Sequence, residues 1–160
     1  MAIQAGDKLP EGRFTIMNAD GPGSKSTQDL FGGKKVVLFS VPGAFTPTCS
    51  KEHLPGFIEQ ASALQAKGVD LIACMAVNDV FVMDAWGKQS GAEGKVTMLA
   101  DGSGAYAEAL DLVLDLSDRG LGVRSARFAL VIDDNTVTQA FIENGGAFEV
   151  SSAENVLANL

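Results

Sequence analysis

The sequence predicts an α/β protein in which helices flank a mixed central sheet. The runs KKVVLFSV and VDLIACMAV are continuously apolar, as expected of strands that are covered on both faces. Segments with helical spacing separate such runs along the chain. The last two predicted strands, SARFALVIDD and VTQAFIEN, follow each other closely and must therefore pair antiparallel. Parallel strands joined by helices, together with a closing hairpin, make a mixed sheet.

The first half of the chain contains two predicted strands and one long helix. RFTIMN is predicted as a short strand, and GPGSKS behind it as a turn. The helix that follows KKVVLFSV is predicted to end near Lys67 and Gly68, and Pro55 should kink or offset its first turns. The apolar residues of this helix, at helical spacing, are Leu54, Phe57, Ile58, Ala61 and Leu64.

The second half continues the alternation of strands and helices. VDLIACMAV and VTMLAD are predicted strands, and the helix between them starts at a cap, Asn78 or Asp79, and ends before Gly91. AYAEALDL is predicted as a short helix. Asp134 and Asn135 are turn residues, which favours a hairpin between the last two strands.

A final helix is predicted to open with a capping box formed by Ser151 and Glu154. The order of elements suits a thioredoxin-like topology, built as a single domain over residues 1–160. In such a sheet a reactive group is expected at the carboxyl end of a central strand, where the next helix begins. The segment VVLFSVPGAFTPTC spans that junction.

Composition limits the function classes. The formal net charge is −8 and the pI is about 4.5, which argues against nucleic acid and against anionic membrane surfaces as partners. The N-terminus has no apolar core of signal-peptide length, so a cytoplasmic protein is expected. Cys49 and Cys74 are too few for a disulfide framework and are predicted to be free thiols. His53 is the only histidine, and no cluster has zinc-ligand spacing, so neither a metal nor another cofactor is expected.

Cys49 lies at the predicted start of a helix. The free N–H groups and the positive end of the helix dipole favour a thiolate there. Thr46 or Thr48 could cap this helix, and Pro47 suits its first position. The alternative is an inert, packed thiol, but polar residues flank Cys49 on both sides, which favours the reactive interpretation.

A reactive thiolate needs partners that act in the transition state. Lowering the pKa of a thiol raises its thiolate fraction but also weakens it as a nucleophile, so the two effects nearly cancel. A fast thiol enzyme therefore needs a hydroxyl and a cation beside the sulfur. Thr46 lies three residues before Cys49, where a thioredoxin-type redox motif would have a second cysteine. The pattern Thr-x-x-Cys thus predicts a nucleophile with a single thiol.

The pattern Pro42-x-x-x-Thr46-x-x-Cys49 resembles the active-site signature of peroxiredoxins. The longer string VPGAFTPTCSKEHLPGF resembles the type II and type V branch of that family. The strings NDVFVMDAWG, GLGVRSARFALVIDD and GGAFEVSSAENVL resemble the same branch. The resemblance covers nearly the whole chain.

This resemblance implies a role for each matching residue. Cys49 corresponds to the peroxidatic cysteine, which attacks a peroxide and becomes a sulfenic acid. Thr46 corresponds to the threonine that bonds the thiolate and the peroxide, and Pro42 to the proline that shields the pocket. Arg124 corresponds to the arginine that stabilises the thiolate and polarises the peroxide. Backbone N–H groups near Gly43 and Cys49 would complete the substrate-binding track.

Other candidate residues receive structural interpretations. Arg127 lies three residues after Arg124, so strand alternation predicts that it faces the other way and forms a structural ion pair. His53 could share a helix face with Cys49 and act as a base, but a structural or tuning role is favoured. Cys74 lies in a buried strand and is expected to be inert. Val150 stands where two-cysteine members of the type V branch carry a resolving cysteine.

The predicted activity is reduction of hydrogen peroxide and alkyl hydroperoxides by a one-cysteine enzyme. The resemblance implies an external reductant, glutathione with glutaredoxin, or else thioredoxin. A peroxide sensor, a chaperone-like redox switch or a binding module with a dead site are the alternatives. A homodimer is also expected, with contacts near the active site from Phe45, Phe81, Leu121 and Trp86.

Overall fold

The computed structural model describes residues 1–160, and its central feature is a seven-stranded mixed sheet flanked by helices. The strands are β1 (Arg13–Asn18), β2 (Gly21–Ser26), β3 (Lys35–Ser40), β4 (Leu71–Ala76), β5 (Thr97–Ala100), β6 (Val113–Leu116), β7 (Gly122–Ser125), β8 (Phe128–Asp133) and β9 (Thr136–Ile142). The helices are α1 (Thr27–Phe31), a π-helical turn (Cys49–His53), α2 (Leu54–Glu59), α3 (Ala61–Ala66), α4 (Val80–Ser90), α5 (Ala105–Ala109), a 3₁₀ turn (Ser117–Arg119) and α6 (Ala153–Ala158). The predicted fold class is confirmed.

The strand order explains how the sheet becomes mixed. It runs β2-β1-β5-β4-β3-β8-β9, with β3 parallel to β4 and β4 parallel to β5. β8 and β9 form the antiparallel hairpin that the sequence predicted, and β8 also pairs antiparallel with β3. No helix combines the length and the apolar character that crossing a membrane requires.

Two hydrophobic cores lie on opposite faces of the sheet. Successive side chains of a strand point to opposite faces, so Val37 and Phe39 of β3 enter one core and Val36 and Leu38 the other. Cys74 is paired with Phe39 in the β3–β4 register and belongs to the same core as Cys49. The central strands are covered on both sides, which is why they appear in the sequence as unbroken apolar runs.

The hairpin turn is at the predicted residues, and two further strand pairs were missed. Asp134 and Asn135 both have positive φ, at 46° and 64°, as a two-residue hairpin turn requires. GPGSKS is strand β2 rather than a turn, because all six of its residues pair with β1. The β6–β7 hairpin was also missed, since its strands have only four residues each and stand apart from the main sheet.

The helix ends agree with the sequence in one case and correct it in another. Asp79 caps α4 by accepting from Val82 N–H, and Gly91 ends it in the left-handed conformation, as predicted. The last helix is capped by Ser152, whose hydroxyl accepts from Asn155 N–H. The capping box assigned to Ser151 was therefore wrong by one residue, and the hydroxyl of Ser151 has a different partner, described below.

Candidate active site

Cys49 lies where the chain leaves β3 and begins a helix. Pro47 is the first helical residue, as predicted, and the turn from Cys49 to His53 is π-helical, with Leu54 N–H donating to the carbonyl of Cys49. Pro55 has no N–H to bond the carbonyl of Lys51, so the ordinary helical ladder cannot continue through this point. The offset predicted at Pro55 thus takes the form of a widened turn that starts at the reactive residue.

The sulfur of Cys49 is buried and touches a guanidinium. Cys49 is 0% exposed, and Nη2 of Arg127 donates to its Sγ at 3.2 Å. Arg127 is itself 5% exposed and lies against the ring of Phe148, with Cζ 5.7 Å from the ring centroid. Arg127 is therefore the cationic residue that bonds the sulfur of Cys49.

This contact corrects the assignment of the two arginines. Arg124 does not reach the sulfur: its Nε donates to the carbonyl of Leu121 at 2.8 Å and its Nη1 to that of Pro42 at 3.3 Å. Strand alternation from Arg124 to Arg127 does not hold, because β7 ends at Ser125 and β8 begins at Phe128. Arg127 lies in the irregular link between the two strands and points to the active site.

The pairing of β8 with β3 explains the position of Arg127. This arginine directly precedes Phe128, the first residue of β8, which pairs with Ser40 at the end of β3. The end of β3 leads into the Cys49 segment, so a side chain immediately before β8 lies at the same edge of the sheet. A buried bond between the hydroxyls of Ser40 and Ser125, 2.8 Å long, fixes this junction.

The loop from Pro42 to Phe45 is held tightly beside Cys49. A Cβ on Gly43 would stand 2.9 Å from Nη1 of Arg124 and 3.2 Å from Cγ2 of Thr46, so a larger residue there would displace the guanidinium of Arg124. Ala44 N–H donates to Oδ1 of Asn78 at 2.9 Å. Phe45 has φ of 66°, a conformation rare for an aromatic residue, and 48% of it is exposed.

The hydroxyl of Thr46 is oriented by the same loop. Its Oγ1 donates to the carbonyl of Gly43 at 2.6 Å, and it makes no hydrogen bond with the sulfur of Cys49. Because its proton is committed to Gly43, the oxygen is left to accept a hydrogen bond. The N–H groups of Gly43 and Cys49 have no acceptor within the protein and are available to donate.

His53 is fixed in one neutral tautomer. Its Nδ1 lies 2.9 Å from Nη1 of Arg127, and its Nε2 lies 2.9 Å from the carbonyl of Ser151. A guanidinium can only donate and a carbonyl can only accept, so the proton is on Nε2. Burial, and secondly the charge of Arg127, lower the pKa of His53 to about 3. His53 therefore holds Arg127 in place and is not available as a base for Cys49.

Comparison with known proteins agrees with this geometry. The family model for redoxin matches residues 4–157. The chain is 54% identical to peroxiredoxin-2B of Arabidopsis thaliana, over 99% of this chain and 98% of that protein. Peroxiredoxin-2C of Oryza sativa subsp. japonica is 53% identical with the same coverage. The crystal structure of reduced Prx3 from Vibrio vulnificus in complex with H₂O₂ matches with a TM-score of 0.95 at 49% identity, covering 98% of each chain.

The chain belongs to the peroxiredoxin family. Its relatives place it in the type II branch, and membership makes it a thiol-dependent peroxidase. Of the residues singled out from the sequence of this peroxiredoxin, the structure brings Pro42, Gly43, Thr46 and Cys49 to one site. Arg124 bonds the carbonyls of Pro42 and Leu121 beside that site, and Arg127 bonds the sulfur.

The second cysteine of the peroxiredoxin lies beneath the site. Cys74 is 0% exposed on β4, and no disulfide joins it to Cys49. Burial raises the pKa of the Cys74 thiol well above its ordinary value, and the proximity of Cys49 adds to the rise. Such a thiol is a poor nucleophile at neutral pH.

Replacing each of the two arginines by alanine in turn tests the corrected assignment directly. Arg127→Ala should slow the oxidation of Cys49 by hydrogen peroxide by about 10²–10³-fold, the scale for a lost donor in an active site. Arg124→Ala is the matched control and should cost much less, because Arg124 bonds only backbone carbonyls. The rates are measured by stopped flow with the reduced enzyme. A larger loss in Arg124→Ala would contradict the assignment.

The low pKa of His53 predicts a specific dependence of stability on pH. The unfolded chain takes up a proton on His53 below about pH 6.5, whereas the folded protein does not until about pH 3. The stability that His53 contributes is therefore present above pH 6.5 and is lost as the pH falls toward 3.

The free energy of unfolding should accordingly fall more steeply with decreasing pH in the parent protein than in His53→Asn. The difference in slope should approach, at most, about 1.4 kcal/mol per pH unit between pH 6 and 4. Urea denaturation at a series of pH values measures both slopes. Equal slopes would mean that His53 is protonated in the folded protein.

Proposed function

We propose that this peroxiredoxin reduces hydrogen peroxide and alkyl hydroperoxides through a sulfenic acid on Cys49. The observation that supports this most directly is the hydrogen bond from Arg127 to the buried sulfur. A guanidinium at 3.2 Å stabilises the thiolate and can also donate to an oxygen that approaches it. A neutral, inert thiol would not offset the cost of burying a guanidinium beside it.

The chemical step is a displacement at oxygen. The thiolate of Cys49 attacks one oxygen of the peroxide, an S–O bond forms, and the O–O bond breaks. Two electrons pass from sulfur to the peroxide, and the departing oxygen leaves as water or an alcohol after it takes up a proton. The sulfur is left as a sulfenic acid.

The groups around Cys49 are suited to bind both oxygens of the substrate. The N–H groups of Gly43 and Cys49 are available as donors, and Arg127 adds a charged donor. Thr46 Oγ1 can accept a hydrogen bond from the O–H of the hydroperoxide because its own hydroxyl donates to the carbonyl of Gly43. Pro42 is half-buried at the start of the loop and has no N–H that would need a water molecule as a partner.

Glutathione with glutaredoxin is the proposed reductant, and thioredoxin the second candidate. Cys74 is buried and its thiol is held protonated, so it is a poor resolving residue. Val150, in the C-terminal loop, is not a cysteine. An external thiol would attack the sulfenic sulfur, release water and form a mixed disulfide, which a second thiol then reduces.

Turnover experiments test the one-cysteine mechanism and separate an enzyme from a sensor. With peroxide in excess, glutathione and glutaredoxin, the parent protein should consume many equivalents of peroxide. Cys49→Ser should consume none above background, because the nucleophile is absent. Cys74→Ala should retain most of the turnover.

Two outcomes would contradict this scheme. Consumption of a single equivalent by the parent protein with either reductant system would indicate a redox switch. Normal sulfenic acid formation but lost turnover in Cys74→Ala would identify Cys74 as a resolving residue.

A homodimer through the active-site end is also proposed. Phe81 is 65% exposed at the start of α4, and Phe45 and Leu121 are 48% and 38% exposed. All three lie near the loop from Pro42 to Phe45. Phe45 belongs to that loop, and Phe81 is in α4, which follows Asn78, the residue that bonds Ala44. The carbonyl of Leu121 accepts a hydrogen bond from Arg124. Trp86, by contrast, is 1% exposed and donates to Ser50 Oγ, so the prediction that it contacts a partner was wrong.

Phe81→Asp should convert the dimer to a monomer at micromolar concentrations, because it places a charge in the centre of the apolar contact. An aspartate in the first turn of α4 is compatible with the helix, so the fold should not suffer. Gln65→Asp, on the exposed face of α3, is the matched control. Sedimentation equilibrium over a concentration series measures the effect, and a monomeric parent protein at high micromolar concentration would refute the proposal.

A further inference from the structure

A buried carboxylate closes the segment that follows the last strand. Glu143 comes directly after β9 and is 7% exposed. A single oxygen, Oε2, accepts from Glu149 N–H at 2.8 Å, from Ser151 N–H at 2.8 Å and from the hydroxyl of Ser151 at 2.6 Å. Residues 143–151 are thus tied into a closed loop, which we call the C-terminal clamp. No arginine or lysine forms an ion pair with Glu143.

The C-terminal clamp contacts the active site at three points. The carbonyl of Ser151 accepts from Nε2 of His53, whose Nδ1 in turn accepts from Arg127. The ring of Phe148 packs against His53, with 5.0 Å between centroids, and lies beneath the guanidinium of Arg127. The backbone N–H of Glu143 also donates to the carbonyl of Arg127 at 3.1 Å. Both partners that orient the Arg127 side chain therefore depend on this loop.

We propose that Glu143 is a positioning residue for peroxide reduction: its carboxylate closes the C-terminal clamp, which fixes His53 and Phe148 and through them the guanidinium of Arg127 at Cys49. Glu143 touches neither the sulfur nor a substrate. Its effect on the reaction passes through Ser151, His53 and Arg127. This inference rests on the proposed function, because it assigns Arg127 to the chemistry of Cys49.

A carboxylate is suited to this position for physical reasons. Hydrogen bonds to an ionised acceptor are stronger than those to a neutral amide, and one carboxylate oxygen can receive all three donors of the clamp. Burial opposes the ionisation of Glu143, but the bonds from Ser151 and from the N–H groups of Glu149 and Val150 outweigh it and lower its pKa below the ordinary value. Glu143 is therefore ionised at neutral pH, where the clamp is needed.

Substitutions of Glu143 in two backgrounds test the proposal by kinetics. Glu143→Ala should slow Cys49 oxidation by hydrogen peroxide by about 10-fold or more, the scale on which outer partners of active-site groups act. Glu143→Gln keeps the shape and should lose less. In the Arg127→Ala background, Glu143→Ala should have no further effect, because the group through which it acts is gone. Equal fold-losses in both backgrounds, or no loss in the parent background, would overturn the proposal.

Glu149→Gln is the matched control, since its side chain is exposed in the same loop and only its backbone N–H takes part in the clamp. Its rate should equal that of the parent protein. A loss as large as that of Glu143→Gln would show that removing any charge from the loop suffices, which would also overturn the proposal.

The imidazole of His53 gives a second readout that does not require turnover. His53 is the only histidine, so its ¹⁵N resonances are assigned without ambiguity. The parent protein should show the pure Nε2–H tautomer, and Glu143→Ala a mixture, because the carbonyl of Ser151 is no longer fixed. An unchanged tautomer in a folded Glu143→Ala protein would refute the clamp alone. Undiminished oxidation of Cys49 in Arg127→Ala would instead refute the proposed catalytic role of Arg127.

Discussion

The active site depends on a buried guanidinium that has no carboxylate partner. Burying a charge is costly unless an opposite charge or several hydrogen bonds compensate for it. Arg127 forms no ion pair; it touches the sulfur of Cys49, the neutral ring of His53 and the face of Phe148. The sulfur of Cys49 is the one acidic group that accepts a hydrogen bond from this guanidinium. The surrounding structure holds Arg127 and Cys49 together.

The two cores and the sheet order supply that frame. The Cys49 turn follows β3, and Arg127 precedes β8, which pairs with β3 along its whole length. Because β8 is antiparallel to β3, the start of β8 lies beside the end of β3, where the chain leads into the Cys49 turn. The β3–β8 register therefore decides which residues meet at this edge of the sheet.

The sequence was sufficient where local chemistry decides the structure. The turn at Asp134 and Asn135, the cap at Asp79 and the helix start at Pro47 each follow from a residue type that suits a particular backbone conformation. The pocket residues before Cys49 are close to it along the chain, so their spacing alone indicated one site. The position of Thr46 could be predicted, whereas the direction of its hydroxyl, toward Gly43, depends on the loop conformation.

Long-range contacts were the part that the sequence could not provide. Arg127 was misassigned because alternation was counted across a link that belongs to no strand. Ser151 was assigned as a cap because its spacing to Glu154 fits one, yet its hydroxyl bonds Glu143, a residue of another element. For Ser151, the bond to a buried carboxylate is favoured over a cap, since an unsatisfied polar group in the core costs more than a lost cap on the surface.

The complete burial of Cys49 limits access to its sulfur, and it does so more strongly for large reactants than for small ones. A hydroperoxide is small and needs only a small rearrangement to reach the sulfur. A thiol much larger than a peroxide cannot reach a residue that is 0% exposed unless the turn at Cys49–His53 changes its conformation. Oxidation by a small peroxide and reduction by a bulkier thiol therefore place different demands on the conformation of this segment.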